Sequence, residues 1–453
     1  MQTLPLQDPD EREAAYQKNH EMLLGLFRRG TLASTADSER TVRLRLERFL
    51  LDRDSQSLVP FEGDAGLEAV LEQLALQWPG CTRQSFDGHL MGVAVRLLVR
   101  GSVVPVIVSL GAGGQLTCSV GPSDSVITLR ESLDDFDRQL HLASLALGCD
   151  YTLAAEGYNP FASSPLDVQL IPRARWTLLS AYLAQTGRYA RDALRCTCAT
   201  QVLLHMGNDQ ESLSSFVLAS ALHPVLAFLT DNVRSFRGSG ARRCPRMVRS
   251  MIWEEVDPAR CCLVPGTFGR EFSFERYLEW AEFQQPILLT DDSGNVTSTG
   301  RRTMADVMGD VALSPREGRW LLETVHPPVR LGASVELLQA DSLHPAQATA
   351  YAAFVKGILQ TPLSLDQTRD ALGRVGVDDV RQAGEALRRE GWNARVFGRP
   401  VAELVDALLR IARTCLLDEG ERALMEEIAT LWDYRMVPRD AFVQQETKAR
   451  RGW

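Results

Sequence analysis

The clearest pattern in the chain lies at residues 41–51, where Val42, Leu44 and Leu46 interleave with Arg43, Arg45 and Glu47. Alternation at every second residue predicts a half-buried strand with Arg43, Arg45 and Glu47 on one face. Residues 8–29 instead carry Tyr16, Leu23, Leu24 and Phe27 at helical spacing, with Gly30 as a stop. A helix is predicted at about 65–77, then strands at 91–99 and 103–110 joined by the turn Arg100-Gly101-Ser102. Residues 111–115 form a glycine turn into a third short strand at 116–120, followed by a helix over 123–147 and a strand over 151–156. Further on, the pattern predicts helices at 175–187, 210–232 and 272–283, strands at 196–205 and 329–338, and a polar turn at 291–300. From His344 onward it is nearly all helical. Hairpin-linked strands mixed with helices predict an α+β fold built on a mostly antiparallel sheet. The expected parts are an N-terminal helical segment (1–39), a core (40–341), a helical C-terminal region of the same domain (342–443) and a polar tail (444–453).

Composition narrows the class without changing that picture. In 453 residues, 45% are hydrophobic and 24% charged, which fits a globular chain that can bury a core. A formal charge of −9 gives no support to a nucleic-acid partner. No membrane association is expected, since the apolar stretch 93–110 is broken by Arg96 and Arg100. The acidic N-terminus lacks the pattern of a signal peptide, so a cytoplasmic location is expected and the nine cysteines read as reduced thiols. Neither Cys196 and Cys198 nor Cys261 and Cys262 have the spacing of a zinc site. Glycine-rich nucleotide motifs of the GxGxxG and P-loop types are missing. The loop at 236–246 carries Arg237, Arg242, Arg243 and Arg246, a solvated face or a grip for an anionic substrate.

Several segments in order resemble the glutamate–cysteine ligase family, in its plant-type branch also found in bacteria. They are RLRLERFLL, VPFEGDAGLEAVLEQL, SLGAGGQLTCS, EGYNPF, RCTCATQV, SSFVLASALHPVLAFLTDN, RSMIWEEVDPARCCLVPGTFG, FSFERYLEWA and VRLGASVELLQAD, between residues 40 and 341. The resemblance implies a glutamine-synthetase-like funnel made of a curved antiparallel sheet. It also implies a carboxylate–amine ligase of the glutathione pathway, in which ATP and Mg²⁺ activate the γ-carboxyl of glutamate for attack by cysteine. Magnesium needs carboxylate oxygens on inward-facing strand positions.

The metal positions depart from that pattern. Where the family reads G-T-E-H-E-K-F, this chain has Arg43-Leu44-Arg45-Leu46-Glu47-Arg48-Phe49, so one acid is now Arg45. The glycine motif keeps Gly113, Gly114 and Gln115 but has Gly111 and Thr117 in place of two acids. Leu203 and His205 replace an amide and an acid, and Leu338 replaces an arginine. Metal candidates are Glu47 and Glu336; Arg45, Gly113, Gly114, Gln115 and His205 form a phosphate-binding or altered site. Substrate-binding candidates are Arg195, Gln201, Arg249, Trp253 and Arg260, since arginine forks suit an amino-acid carboxylate. An arginine about 4 Å from a dication is repelled by roughly 8 kcal/mol at an effective dielectric of 20. Three readings stay open. One is a diverged family member with an amino-acid-binding funnel and lost or altered ligation, acting as a pseudoenzyme, a binding subunit or an enzyme of changed chemistry. Another is an active ligase with a reduced metal set. The third is metal or thiol chemistry at His205, Cys196, Cys198 or Cys118. The expected partner is glutamate or a similar small molecule, with a protein partner or oligomer possible; Mg and ATP are expected only if the family reaction persists.

Overall fold

A computed structural model describes residues 8–32, 40–55, 57–241 and 243–441. The alternating segment is β1 (Val42–Asp52), followed by β2 (Ser57–Leu58), β3 (Thr82–Phe86), β4 (His89–Val99), β5 (Ser102–Leu110), β6 (Gln115–Ser123), β7 (Tyr151–Ala154) and β8 (Ala199–Leu204). A separate hairpin of β9 (Leu288–Thr290) and β10 (Val296–Ser298) precedes β11 (Val329–Leu331) and β12 (Val335–Asp341). Ten of these strands form one sheet in the order β11-β12-β8-β1-β6-β5-β4-β3, with β2 and β7 also paired to β1. All its pairings among the described residues are antiparallel. The protein is thus α+β with a large antiparallel sheet.

Register gives the sheet two unlike faces. Arg45 stands opposite Gln201 and Ser119, Glu47 opposite Thr117, and Arg43 opposite Leu203, itself opposite Glu336. The reverse face carries Val42, Leu44, Leu46, Cys118, Val120, Val202 and Leu204, all fully buried. Among the helices are α1 (Pro9–Leu32), α2 (Leu67–Gln77) and α3 (Val126–Ala146). Next come α4 (Ala174–Leu183), α5 (Ala190–Cys196), α6 (Asp209–Leu229), α7 (Val248–Val256), α8 (Phe274–Glu282), α9 (Met304–Asp310) and α10 (Pro315–Leu322). The C-terminal part is α11 (Pro345–Leu359), α12 (Pro362–Leu372), α13 (Val377–Glu390), α14 (Val401–Cys415) and α15 (Glu419–Asp433). Helices α3 and α11 pack on β1, and Arg48 of β1 reaches Asp137 of α3 at 2.9 Å. One apolar cluster runs from Leu23 to Val437, so the N-terminal helix, the sheet and the C-terminal helices share a core.

Helix α6 is long and apolar enough to cross a membrane by length and composition, with a mean hydropathy of 1.7. In this fold 78% of its apolar window is buried, which makes it a core helix.

Three segments differ from the sequence expectation. Residues 196–198 are not strand: Cys196 ends α5, and the Thr197 hydroxyl donates back to the Ala193 carbonyl at 2.7 Å. The run 329–338 is a hairpin, folded where Gly332 N–H donates to Ser334 O, and its second strand extends to Asp341. The polar turn at 291–300 contains β10, because Asp291 caps a tight loop by accepting from Asn295 N–H at 2.8 Å. The polar tail, Arg242 and residues 1–7 and 33–39 lie outside the described residues.

Two close approaches lock this arrangement. A Cβ on Gly113 would lie 2.2 Å from the Arg195 carbonyl oxygen, so the glycine turn sits directly on the end of α5. Gln115 fixes the same joint: it accepts from Gly113 N–H (2.8 Å) and donates to the carbonyls of Leu194 (3.0 Å) and Thr197 (3.1 Å). At the other joint, a Cβ on Gly157 would lie 2.3 Å from the Asp341 carboxyl carbon. Asp341 accepts from Asn232 N–H at 2.8 Å, and the Asn232 amide donates to Ala155 O and Ser342 O. Burial, with the Asp231 carboxylate close by, pushes Asp341 well above the usual aspartate range.

Gly113→Ala is expected to destabilise the protein by about 2 kcal/mol, the scale of overpacking against fixed backbone, measured as a fall in the urea midpoint. Asp341 has the opposite sign from a salt-bridged acid. Its folded form holds a proton that the unfolded chain releases near pH 4, so stability falls as pH rises from about 4 to about 7, by at most about 1.4 kcal/mol per unit. Asp341→Asn removes that part of the slope; equal slopes in the two proteins would refute the assignment.

Candidate functional site

The polar face of the sheet forms the floor of a cavity of ≈ 730 Å³. Strand β1 supplies Arg45 and Glu47, β6 Thr117, β8 Gln201, β11 Arg330 and β12 Leu338. Helix α4 contributes Arg175, and α7 contributes Arg249 and Trp253. Helix α13, from Val377 to Arg388, forms a further wall beside parts of α5, α6 and the loops at 258–263 and 323–328, so the C-terminal helical region helps to enclose the site. Arg388 ties α13 to α7 through both Glu254 oxygens at 2.8 Å.

A hydrogen-bonded chain crosses the floor. Arg45 Nη1 donates to Gln201 Oε1 at 3.3 Å, and Gln201 Nε2 donates to Glu47 Oε1 at 3.2 Å. The other Glu47 oxygen accepts from Ala199 N–H at 2.9 Å. Burial raises the Glu47 pKa, while Arg249, Arg45 and the Ala199 N–H pull it back. Among the described residues both Glu47 oxygens are therefore engaged.

Arg249 faces the cavity differently. It is only 6% exposed, and its Nε has no hydrogen-bond partner among the described residues. Burial lowers its pKa, and Asp341 and Glu47 oppose that by charge, yet neither forms an ion pair with it among the described residues. The Trp253 indole N–H, 5.9 Å along the same wall from ring to guanidinium, also has no partner there. A buried donor left without an acceptor costs free energy, so the pair favours a ligand with acceptor oxygens. Beside Trp253, at 5.4 Å between ring centroids, lies His326. Burial and then the charges of Arg330, Arg260, Arg175 and Arg249 lower its pKa to about 3, so it is a neutral imidazole at physiological pH.

The structure brings Arg45, Glu47, Gln201, Arg249 and Trp253 together around the cavity, with Gln115 also in its lining, and leaves the other expected site residues outside it. Arg260 lies outside the lining: it donates to Asp257 (2.6 Å), Thr324 O (2.9 Å), Tyr182 Oη (2.9 Å) and Gln285 O (2.8 Å). Arg195 also points away, donating to Val168 O at 3.1 Å. Gln115 touches the cavity with its amide already spent on the glycine turn, and Gly113 and Gly114 serve that turn. His205 lies outside the lining at the end of β8. In the basic loop, Arg237 grips Asp192 at 2.6 Å and Arg246 lies 3.7 Å from Asp440, so these two arginines brace the fold.

The two metal candidates do not converge. Glu336 accepts from Arg330 Nε at 2.9 Å. Through Leu203 it aligns with Arg43, two strands from β1, while Glu47 lies four residues further along. That is about 13 Å along the strands and roughly 10 Å across them, far beyond one ion's oxygen shell. Among the described residues no group of three or more His, Cys, Asp or Glu could hold a metal. Cys118, Cys196 and Cys198 are fully buried, and burial raises each thiol, Cys196 to about 12. Missed by the sequence reading were Arg175, Glu323, His326 and Arg330; Arg330 lies within the segment VRLGASVELLQAD, and no quoted motif contains the other three, whose segments only the fold carries to the cavity.

The family model described as Glutamate-cysteine ligase family 2 (GCS2) matches residues 44–434. Glutamate–cysteine ligase A, chloroplastic, of Oryza sativa subsp. indica is 24% identical over 358 residues, covering 76% of this chain and 71% of that protein. The chloroplastic glutamate–cysteine ligase of Nicotiana tabacum is 25% identical over 336 residues, covering 66% and 63%. Among solved structures, the complex between the prokaryotic ubiquitin-like protein Pup and its ligase PafA is similar with a TM-score of 0.42 and 12% identity, covering 90% of this chain and 66% of that one. The family match takes in β1, the glycine turn, β8, α7 and α13 alike, and the chain belongs to the glutamate–cysteine ligase family.

Proposed function

We propose that this protein is a diverged member of its family that keeps an amino-acid-binding funnel and has lost or altered the Mg-ATP-dependent γ-glutamyl ligation. The observation carrying this reading is the Arg45–Gln201–Glu47 chain, which fills the position of a metal-binding acid pair with a cation, an amide and a fully engaged carboxylate. The family's ligases use ATP, generally with magnesium. Here Glu47 and Glu336 are too far apart for one ion and Glu336 is committed to Arg330, so the residues do not fit the metal and no step is assigned to it.

The ligand-binding side rests on Arg249 and Trp253. A glutamate-like molecule presents carboxylate oxygens to the guanidinium and indole donors, and neutral His326 adds a ring wall without further charge. The nine cysteines are all free, which supports a reducing compartment such as the cytoplasm.

Titration calorimetry with L-glutamate in the presence of EDTA is expected to give saturable binding. Arg249→Met should weaken it at least tenfold, about 1.4 kcal/mol, with thermal unfolding showing that the variant is folded. Phosphate release with Mg-ATP, glutamate and cysteine together should stay at the background rate. Glutamate-dependent release would establish the active-ligase reading in its place.

A further inference from the structure

Arg45, Arg175, Arg249, Arg330, Arg381 and Arg388 line the cavity against Glu47, Glu254, Glu255, Glu323 and Glu385, and Arg388 is paired with Glu254. Arg43 stands beside Arg45 on β1, outside that lining. Glu336 is taken by Arg330, and Glu47 by two N–H donors. Arg43 makes no hydrogen bond or ion pair among the described residues; burial, and then Arg45, hold it below the usual arginine value. Arg45 gives one long bond to a neutral amide oxygen, and its other N–H groups have no partner among the described residues. The two arginines stand two residues apart on one face of β1, about 7 Å between Cα atoms, within reach of a common group.

A partner that satisfies both guanidinium forks carries about two negative charges on oxygens that accept from them. We infer that the floor at Arg43 and Arg45 binds a doubly charged oxyanion, phosphate or the phosphoryl group of a larger ligand, without a divalent metal. The inference rests on the reading that the usual metal set is lost, and it goes beyond it by assigning a ligand to the altered positions. Buried Arg249, with its unpartnered Nε, lies in the same cavity and is available to the rest of a larger ligand.

The test is calorimetric titration of the full chain with inorganic phosphate in EDTA at constant ionic strength. Saturable binding is expected, with no tightening when Mg²⁺ replaces EDTA. Arg45→Gln should weaken it at least tenfold, Arg45→Lys by less, and Arg188→Gln, at an exposed arginine outside the cavity, should leave it unchanged. Thermal unfolding of each variant establishes that it is folded; if Arg45→Gln does not fold, Arg43→Gln makes the same comparison. Tighter binding of O-phospho-L-serine than of phosphate identifies a larger ligand as the source, and equal binding identifies free phosphate. Lack of saturation at millimolar phosphate, a strict requirement for Mg²⁺, or wild-type affinity in folded Arg45→Gln would overturn the site. Glutamate binding in Arg45→Gln reports on Arg249 alone, so failure of the amino-acid reading is seen separately.

Discussion

The structure depends on the two-faced pairing of β1 at the centre of the sheet. Its even-numbered positions from Val42 to Leu46 are fully buried and bind the sheet to the helical core. A slip of one residue would exchange the faces and bury Arg43, Arg45 and Glu47 in an apolar layer, at a cost no local contact could offset. The hydrophobic effect thus fixes the register, and the register fixes which charges meet over the cavity. Arg45 faces Gln201 because Leu44 and Val202 must face the core.

That constraint leaves the residues of the polar floor free to vary while the fold persists. The glycine turn, Gln115 and the Asp341–Asn232 joint hold strands and helix ends together, and none depends on what the odd-numbered positions of β1 carry. Stability and chemistry reside on opposite faces of one strand. The charge of Arg45 is met by the neutral amide of Gln201, which in turn donates to Glu47.

Much of the fold was legible because long periodic segments report their own burial: β1, the β4–β5 hairpin, α3 and α6 lie where the pattern puts them. Short elements with ambiguous apolar runs were not. The boundary between α5 and β8 is set by Gln115, some eighty residues away in the chain, and the break at Gly332 divides what reads as one strand. At the site, Arg249, Trp253 and Gln201 were found through family motifs. Arg260 matched equally well, yet its guanidinium is consumed by Asp257, Tyr182 and two carbonyls. A motif reports which residue occupies a position; whether its donors remain free is a property of the assembled structure.

The wall contributed by α13 has a consequence for how such a protein can diversify. The helix takes no part in the sheet, and an ion pair to Glu254 is among its ties to the site. The exposed lining positions Val377, Arg381 and Glu385 can therefore be exchanged without disturbing the register that holds the floor, whereas Val380, Ala383 and Leu387 are buried in the core. One wall of the cavity and its floor thus lie on separate stretches of the polypeptide, and the wall can be revised without rebuilding the sheet.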